Sequence, residues 1–206
     1  MQNKIPFLEY MKDVYGNKVL SGDLSTPLDD LYDEIHECQK CPLGATRHHL
    51  VFGQGDPEAN IMFVGEAPGE QEDLSGVPFV GRAGKLLDKL LNEIGISREE
   101  VFIANVLKCR PPQNRDPLPE EIELCEKYLH RQIELIKPKV IIALGRIAAN
   151  TLLRESNSLK SMRGIIYRYH DVDLIVTYHP AAILRNMGML DLLKGDLQAA
   201  ADKYQK

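Results

Sequence analysis

The sequence predicts an α/β fold with three layers, α/β/α, in which a central, mostly parallel sheet of four strands lies between helices. Short apolar runs alternate along the chain with longer segments whose apolar residues recur at helical spacing. Continuous apolar runs are typical of parallel strands, because helices cover both faces of a parallel sheet. The length of 206 residues suits one domain with a small extension.

The first predicted helix follows a weakly patterned segment, residues 1–25. We interpret this segment as an N-terminal extension to a single domain over residues 26–206. Thr26 is suited to cap the helix, and Pro27 fits its first turn. The helix runs toward the first cysteines, and Gly and Pro residues mark the following segment, 42–59, as loop.

The rest of the chain alternates between predicted strands and helices. The four strands are the apolar runs at residues 61–64, 101–106, 140–144 and 173–178, and a short further run lies at 165–167. The helices are the amphipathic segments 86–94, 119–137, 146–153 and 190–204. Ligands of such sheets bind outside the C-terminal ends of the strands, so functional residues are expected there.

Composition and charge exclude several classes of function. The chain has 25 Lys and Arg against 30 Asp and Glu, and a net charge of -5 disfavours a protein that coats nucleic acid by bulk charge. Local basic patches remain compatible with that balance. No apolar run approaches the ~18 residues of a membrane-spanning helix, and the N-terminus is too polar for a secretory signal. We therefore expect a cytoplasmic monomer that contacts no membrane.

Four cysteines, Cys38, Cys41, Cys109 and Cys125, indicate a metal centre. Nothing points to an oxidising compartment, and the Cys-x-x-Cys spacing of the first two lets both sulfurs bind one centre from a single turn. A structural zinc site more often uses two such tight pairs, whereas four thiolates from distant segments suit an iron–sulfur cluster at least as well. Four unrelated core cysteines are the alternative.

Three residues at or near predicted strand ends have side chains suited to a nucleobase. Asn105 offers a hydrogen-bond donor beside an acceptor, as a base edge requires. Phe79 lies in a Gly- and Pro-rich loop where it could stack on a base, and His179 could donate to a developing anion. The plainer interpretations are a turn asparagine, a core phenylalanine and a packed histidine. The acidic loop 65–73 lacks the spacing of a dinucleotide fingerprint or a P-loop.

A further group of candidates is basic. Lys108, Arg110 and Arg115 lie beside Asn114 in a stretch broken by prolines, and a stiff basic loop suits contact with phosphate groups. Arg185 follows the candidate histidine and can join the same face. Ordinary surface charge is the alternative for all of them.

In this order and spacing, the motifs resemble those of family-4 uracil-DNA glycosylases, the iron–sulfur type within the uracil-DNA glycosylase superfamily. The matching segments are residues 65–73, 76–81, 105–112, 114–115, 179–181 and 184–186, together with the four cysteines. Each motif alone is modest, but the combination is highly specific. The resemblance covers roughly residues 30–200 and leaves out the N-terminal extension.

The resemblance implies a DNA repair enzyme that flips uracil out of single- or double-stranded DNA and hydrolyses its N-glycosidic bond, leaving an abasic site. It implies a 4Fe–4S cluster on the four cysteines, Phe79 stacked under the flipped uracil and Asn105 reading the uracil edge. His179 corresponds to the histidine of the second catalytic motif, and Glu66 belongs to the first. The alternative is an iron–sulfur DNA-binding or redox protein without glycosylase activity.

The resemblance also implies how further residues act. Glu72 and Asn114 correspond to pocket residues, and Glu72 stands where it would exclude the methyl group of thymine. Ala67 replaces a glycine of some relatives, which affects how closely the backbone approaches the base. The expected DNA contacts are Lys108, Arg110, Arg115 and Arg185.

Overall fold

The computed structural model describes residues 26–205, so the predicted N-terminal extension lies outside the described residues. Within this range a six-stranded sheet contains β1 (Gln54–Gly55), β2 (Ile61–Gly65), β3 (Phe102–Asn105), β4 (Val140–Leu144), β5 (Ile166–Tyr169) and β6 (Val172–Thr177). The strands lie in the order β1-β3-β2-β4-β6-β5. The four central strands are parallel, and β1 and β5 pair antiparallel at the two edges. The predicted parallel strands are confirmed, and the edge strands make the sheet larger than the predicted four.

Helices pack on both faces of this sheet. They are α1 (Pro27–Ile35), α2 (Leu43–Thr46), α3 (Glu70–Ser75), α4 (Arg82–Glu93), α5 (Pro119–Ile136), α6 (Arg146–Leu153), α7 (Leu159–Met162), α8 (Pro180–Arg185) and α9 (Leu190–Tyr204). The capping-box motif at Ser97 forms a single 3-10 turn, Arg98–Glu100. No helix within residues 26–205 is long and apolar enough to span a membrane.

Alternation along the strands divides the core into two halves. In β2, Met62 and Val64 belong to the core half that contains α1, α5 and α6, whereas Ile61 and Phe63 belong to the half that contains α4 and α9. All four side chains are almost completely buried. Burial on both faces explains why the strands are continuous apolar runs, and it confirms the three predicted layers.

The segment predicted as loop at 42–59 contains helix α2 and strand β1. Gly55 has φ of +134°, and a Cβ atom there would lie 1.8 Å from the carbonyl oxygen of Val101. The glycine therefore marks a close approach between backbones, which glycine in a strand often does. A two-residue strand is too short to produce an apolar alternation, so the sequence pattern does not predict it.

Candidate active site

A cleft of about 580 Å³ opens at the C-terminal ends of the parallel strands. Its walls come from the segments that follow β2, β3, β4 and β6, as the rule for such sheets predicts. Apart from the cysteines, all residues predicted to take part in catalysis, uracil binding or DNA binding line this cleft, except Lys108 and Arg110. Chain segments that are far apart in sequence are therefore brought to one place.

Asn105 is the last residue of β3, and its side-chain oxygen is a buried acceptor. The residue is 2% exposed, and Oδ1 accepts no hydrogen bond from the described residues. Buried polar atoms are normally hydrogen-bonded, so an acceptor left free at the wall of a cleft is available to a ligand. Gly65 makes room for it: a Cβ atom there would lie 2.3 Å from Asn105 Oδ1 and 2.7 Å from the ring of Phe79.

Phe79 presents a buried ring beside this amide. Its φ of +52° lies in the left-handed region, which costs a bulky residue on the order of 1–3 kcal/mol and persists only where neighbours enforce it. Arg98 donates from Nη1 to the Phe79 carbonyl oxygen (3.2 Å) and from Nη2 to that of Pro78. The Phe79 ring centroid lies 5.5 Å from that of His179. The loop is thus held so that the ring faces the catalytic candidate.

Glu72 lines the cleft, and one of its carboxylate oxygens is hydrogen-bonded to the loop that carries Phe79. Oε1 accepts hydrogen bonds from the backbone N–H groups of Val80 (2.9 Å) and Gly81 (2.8 Å). Glu72 therefore secures the residues that follow Phe79, a contact that sequence reasoning did not anticipate. Exclusion of the thymine methyl group by Glu72 stays a prediction.

His179 caps the N-terminus of α8, and a backbone N–H group of that helix fixes its ring. Its Nδ1 accepts a hydrogen bond from the N–H of Ala181 (3.1 Å). The pKa of His179 is lowered to about 4, because burial disfavours the charged ring and Arg185 repels it. At neutral pH the ring is uncharged, and the bond to Nδ1 assigns the remaining proton to Nε2. His179 is therefore a neutral hydrogen-bond donor.

Glu66 follows β2 and has a carboxyl group that titrates near neutrality. Burial raises its pKa to about 7, and the charge of Asp116 adds to that shift while Arg146 opposes it. Asp116 and Arg146 both line the cleft and were not among the predicted site residues. Arg146 could have been found, because it directly follows Gly145 at the end of β4.

Lys108 corrects the sequence prediction. Its side chain is 1% exposed, and Nζ donates to the carbonyl oxygen of Asn105 (2.8 Å) and to Oε1 of Gln132 (2.6 Å). Burial lowers its pKa to about 7. The predicted contact of Lys108 with DNA phosphate is therefore wrong, because the ammonium group points into the protein.

The arginines differ from Lys108 in remaining near the surface. Arg115 forms a two-pronged ion pair with the buried carboxylate of Glu121 (2.6 and 2.9 Å), which commits its guanidinium to α5. Arg110 does not line the cleft, but its Nε donates to Oδ1 of Asn114 (2.7 Å), which does, and its guanidinium lies 3.7 Å from the carboxylate of Glu70. Arg185 is exposed at the cleft edge and forms no ion pair within residues 26–205.

The four predicted cysteine ligands lie around one place. All of them, together with Leu50 and Tyr128, line a single small cavity, and none is in a disulfide. Arg47 Nη1 donates to Cys109 Sγ (3.2 Å), and the backbone N–H of Lys108 donates to Cys125 Sγ (3.3 Å). Four thiols with N–H donors directed at two of the sulfurs form a donor set that fits an iron–sulfur cluster.

Within residues 26–205, no group of three or more His, Cys, Asp or Glu side chains, the cysteines included, is arranged so that it could hold a metal ion. In a cluster the thiolates bind different irons, so they need not converge on one atom. Burial raises the pKa of Cys109 and raises that of Cys125 to about 12, so metal binding would release protons from these thiols.

Comparison with known proteins adds an independent observation. A family model described as the uracil DNA glycosylase superfamily matches residues 52–202. The chain is 51% identical over 165 residues to a type-4 uracil-DNA glycosylase of Archaeoglobus fulgidus, an alignment that covers 76% of this chain and 83% of that protein. It is 46% identical over 161 residues to the type-4 enzyme of Thermotoga maritima, covering 75% and 81%.

A more distant relative belongs to a different type. The chain is 34% identical over 149 residues to a type-5 uracil-DNA glycosylase of Thermus thermophilus, which covers 63% of this chain and 68% of that protein. Both the identity and the coverage are lower than for the type-4 enzymes. The similarity is therefore greater to the type-4 group, as the sequence motifs indicate.

Proposed function

This chain belongs to the uracil DNA glycosylase superfamily, and from that premise we propose how its cleft removes uracil from DNA. The chain is a uracil-DNA glycosylase, a DNA repair enzyme that hydrolyses the bond between uracil and deoxyribose. The observation that best supports the proposed roles is the buried amide oxygen of Asn105, which has no hydrogen-bond partner among residues 26–205 and lies beside the rings of Phe79 and His179. The reaction releases the free base and leaves an abasic site.

Recognition depends on bringing the base into the cleft. A base inside a duplex cannot be reached, so it is flipped out at a cost of a few kcal/mol. Phe79 supplies an aromatic face for stacking, and Asn105 Oδ1 accepts the N3–H of uracil while its amide group donates to O4. Cytosine presents the opposite pattern, so the fixed amide rejects it. Glu72, Ala67 and Asn114 complete the wall of the pocket.

Cleavage leaves negative charge on uracil and positive charge on the sugar. His179 donates from Nε2 toward uracil O2, where charge grows as the glycosidic bond stretches, so this hydrogen bond is strongest in the transition state. The carboxylate of Glu66 stabilises the cationic sugar or orients the attacking water. The neutral state of His179 is sufficient, because only one N–H is needed.

The cysteine cavity has a structural role in this proposal. Cys38, Cys41, Cys109 and Cys125 would hold a 4Fe–4S cluster, which when bound supplies covalent links between three separate chain segments. One of these segments, at Cys109, continues into Arg110, which with Arg185 would contact DNA phosphates, whereas the guanidinium of Arg115 is paired with Glu121. The enzyme would act as a cytoplasmic monomer on single- or double-stranded DNA.

Two measurements test the proposal. Purified protein is incubated with single- and double-stranded oligonucleotides that carry one uracil, and abasic sites are measured against matched thymine and cytosine substrates. We expect cleavage of the uracil substrate alone and strong loss of cleavage in Asn105→Ala. Metal analysis should give about four irons per chain. Zinc without iron would contradict the cluster, and unchanged excision by Asn105→Ala would contradict the role of the amide.

A further inference from the structure

A buried lysine bonds the backbone of the proposed uracil-reading residue, and a buried glutamine bonds that lysine. Lys108 is 1% exposed and Gln132 is completely buried. Lys108 Nζ donates to Gln132 Oε1 (2.6 Å), and Gln132 Nε2 donates to the carbonyl oxygen of Phe52 (2.9 Å). Burying an ammonium group is costly even when it is hydrogen-bonded, so a residue that needs only to fill space would be apolar.

The position of this lysine connects two regions. Its Nζ donates to the carbonyl oxygen of Asn105 (2.8 Å), while its backbone N–H donates to Cys125 Sγ (3.3 Å). The next residue in the chain is Cys109. Lys108 therefore touches the main chain of the proposed uracil-reading residue at one end and the cysteine cavity at the other.

The lysine bonds the backbone carbonyl group of Asn105 at the end of a strand. Asn105 is the last residue of β3, opposite Gly65 of β2. The N–H groups of the next two residues, Val106 and Leu107, donate to the carbonyl oxygens of Gly65 (2.9 Å) and Glu66 (3.1 Å). The carbonyl oxygen of Asn105 accepts from the lysine, and this bond contributes to the orientation of the residue at the strand end.

We propose that Lys108 and Gln132 are positioning residues that hold Asn105 in register with the flipped base, and that the cysteine centre anchors Lys108 through Cys109 and Cys125. This inference rests on the proposed role of Asn105. A cluster on four thiolates carries negative charge, which would offset the cost of the buried ammonium group. Lys108 never contacts the substrate and acts through the main chain of Asn105.

A double-mutant cycle with the iron-loaded protein tests this inference. Lys108→Met keeps an unbranched side chain but removes the donor, and we expect single-turnover uracil excision to fall about 10- to 100-fold, because small misplacements are that costly. In the Asn105→Ala background the same substitution should change excision less than about twofold. Lys194→Met, at the surface of α9, is the matched control. Equal losses in both backgrounds would overturn the inference.

Gln132 provides a second route if Lys108→Met does not fold. Gln132→Glu and Gln132→Leu both lose the donor to the Phe52 carbonyl oxygen, but only Gln132→Glu keeps an acceptor for Lys108 Nζ. Gln132→Glu should therefore retain more excision than Gln132→Leu, which should lower excision only where Asn105 is present. Iron content and melting temperature are measured for every variant, and equal effects of the two Gln132 variants would overturn the inference. If Asn105→Ala itself excises uracil normally, the proposed function of Asn105 fails instead.

Discussion

Asn105 and His179 are each held by a hydrogen bond to a neighbouring residue, whereas Arg185, at the edge of the same cleft, is exposed and forms no ion pair within the described residues. We call the first two residues with Phe79 the floor of the cleft, and Arg185 its rim. Fixed donors stabilise a transition state without reorganising, while exposed surface charges mainly raise affinity for DNA. The floor should therefore set the rate of cleavage and the rim the strength of binding.

The largest expected effect is at the floor, in His179→Ala. Removing one preorganised hydrogen-bond donor that stabilises a developing anion lowers the rate by about 10²–10³-fold. We expect single-turnover excision to fall by that factor while DNA affinity changes only a few-fold. His130→Ala, which removes a partly buried histidine outside the cleft lining, is the matched control. Near-native cleavage by a well-folded, iron-containing His179→Ala protein would remove His179 from the mechanism.

Asn105→Asp should lower the rate less and should change which base is accepted. A carboxylate cannot donate to uracil O4 and repels it, so we expect a loss of ~1–3 kcal/mol, or roughly 5- to 150-fold, in uracil excision. Excision rates on uracil and cytosine substrates are compared under single-turnover conditions. An unchanged ratio between the two bases would show that this amide does not discriminate between them.

The residues in and around the cleft also differ in how far sequence reasoning could predict them. The motifs at strand ends locate Asn105 and His179, because parallel strands bring their C-terminal ends to one edge. The same rule treats Lys108 and Arg110 alike, although they are two residues apart and only the lysine is buried. The missed signal is Gln132, a polar residue seven positions after Cys125 on the apolar face of α5, which indicates a buried polar partner.

The fold was predicted more completely than the interactions within the site. Long periodic helices and fully apolar strands depend on local patterns, so their positions follow from the sequence. The ion pair of Arg115 with Glu121 and the clamp of Arg98 on the Phe79 loop depend on where side chains meet in space. No local pattern contains that information, which is why Arg115 was interpreted as a DNA-binding charge and Arg98 was not singled out.

A smaller effect within the cleft should appear in the pH dependence. Because the pKa of Glu66 is raised to about 7, a required carboxylate makes single-turnover excision rise with pH below about 7 and level off above it. Asp116 raises this pKa, so Asp116→Asn should shift the midpoint to lower pH. Glu66→Gln should abolish this step in the profile. A midpoint that is the same in Asp116→Asn and the unaltered protein would argue against Glu66 as the titrating group.

The smallest expected effect is at the rim, in Arg185→Gln. The side chain is exposed at the cleft edge, so its removal should leave the fold intact, unlike removal of Arg115, which would strand a buried carboxylate. Removing one interaction with a DNA phosphate should reduce the slope of log affinity against log salt by ~1. Arg185 also helps to lower the pKa of His179 to about 4, so its removal should raise that pKa. Because the rise starts from about 4, His179 stays neutral at pH 7.

Cleavage of bound DNA by Arg185→Gln should therefore stay within about twofold of that by the unaltered protein, since a neutral His179 is all that the reaction requires. Affinity for an uncleavable oligonucleotide is measured at four or more salt concentrations, and single-turnover rates are measured at saturating enzyme. A matched variant, Lys194→Met, removes a charge that is paired with Glu93 on the surface of α9 and should leave the slope unchanged. An unchanged slope in Arg185→Gln would place the phosphate contacts elsewhere. A large loss of single-turnover rate would instead move Arg185 from the rim to the floor, because only a group acting on the transition state changes cleavage after binding is complete.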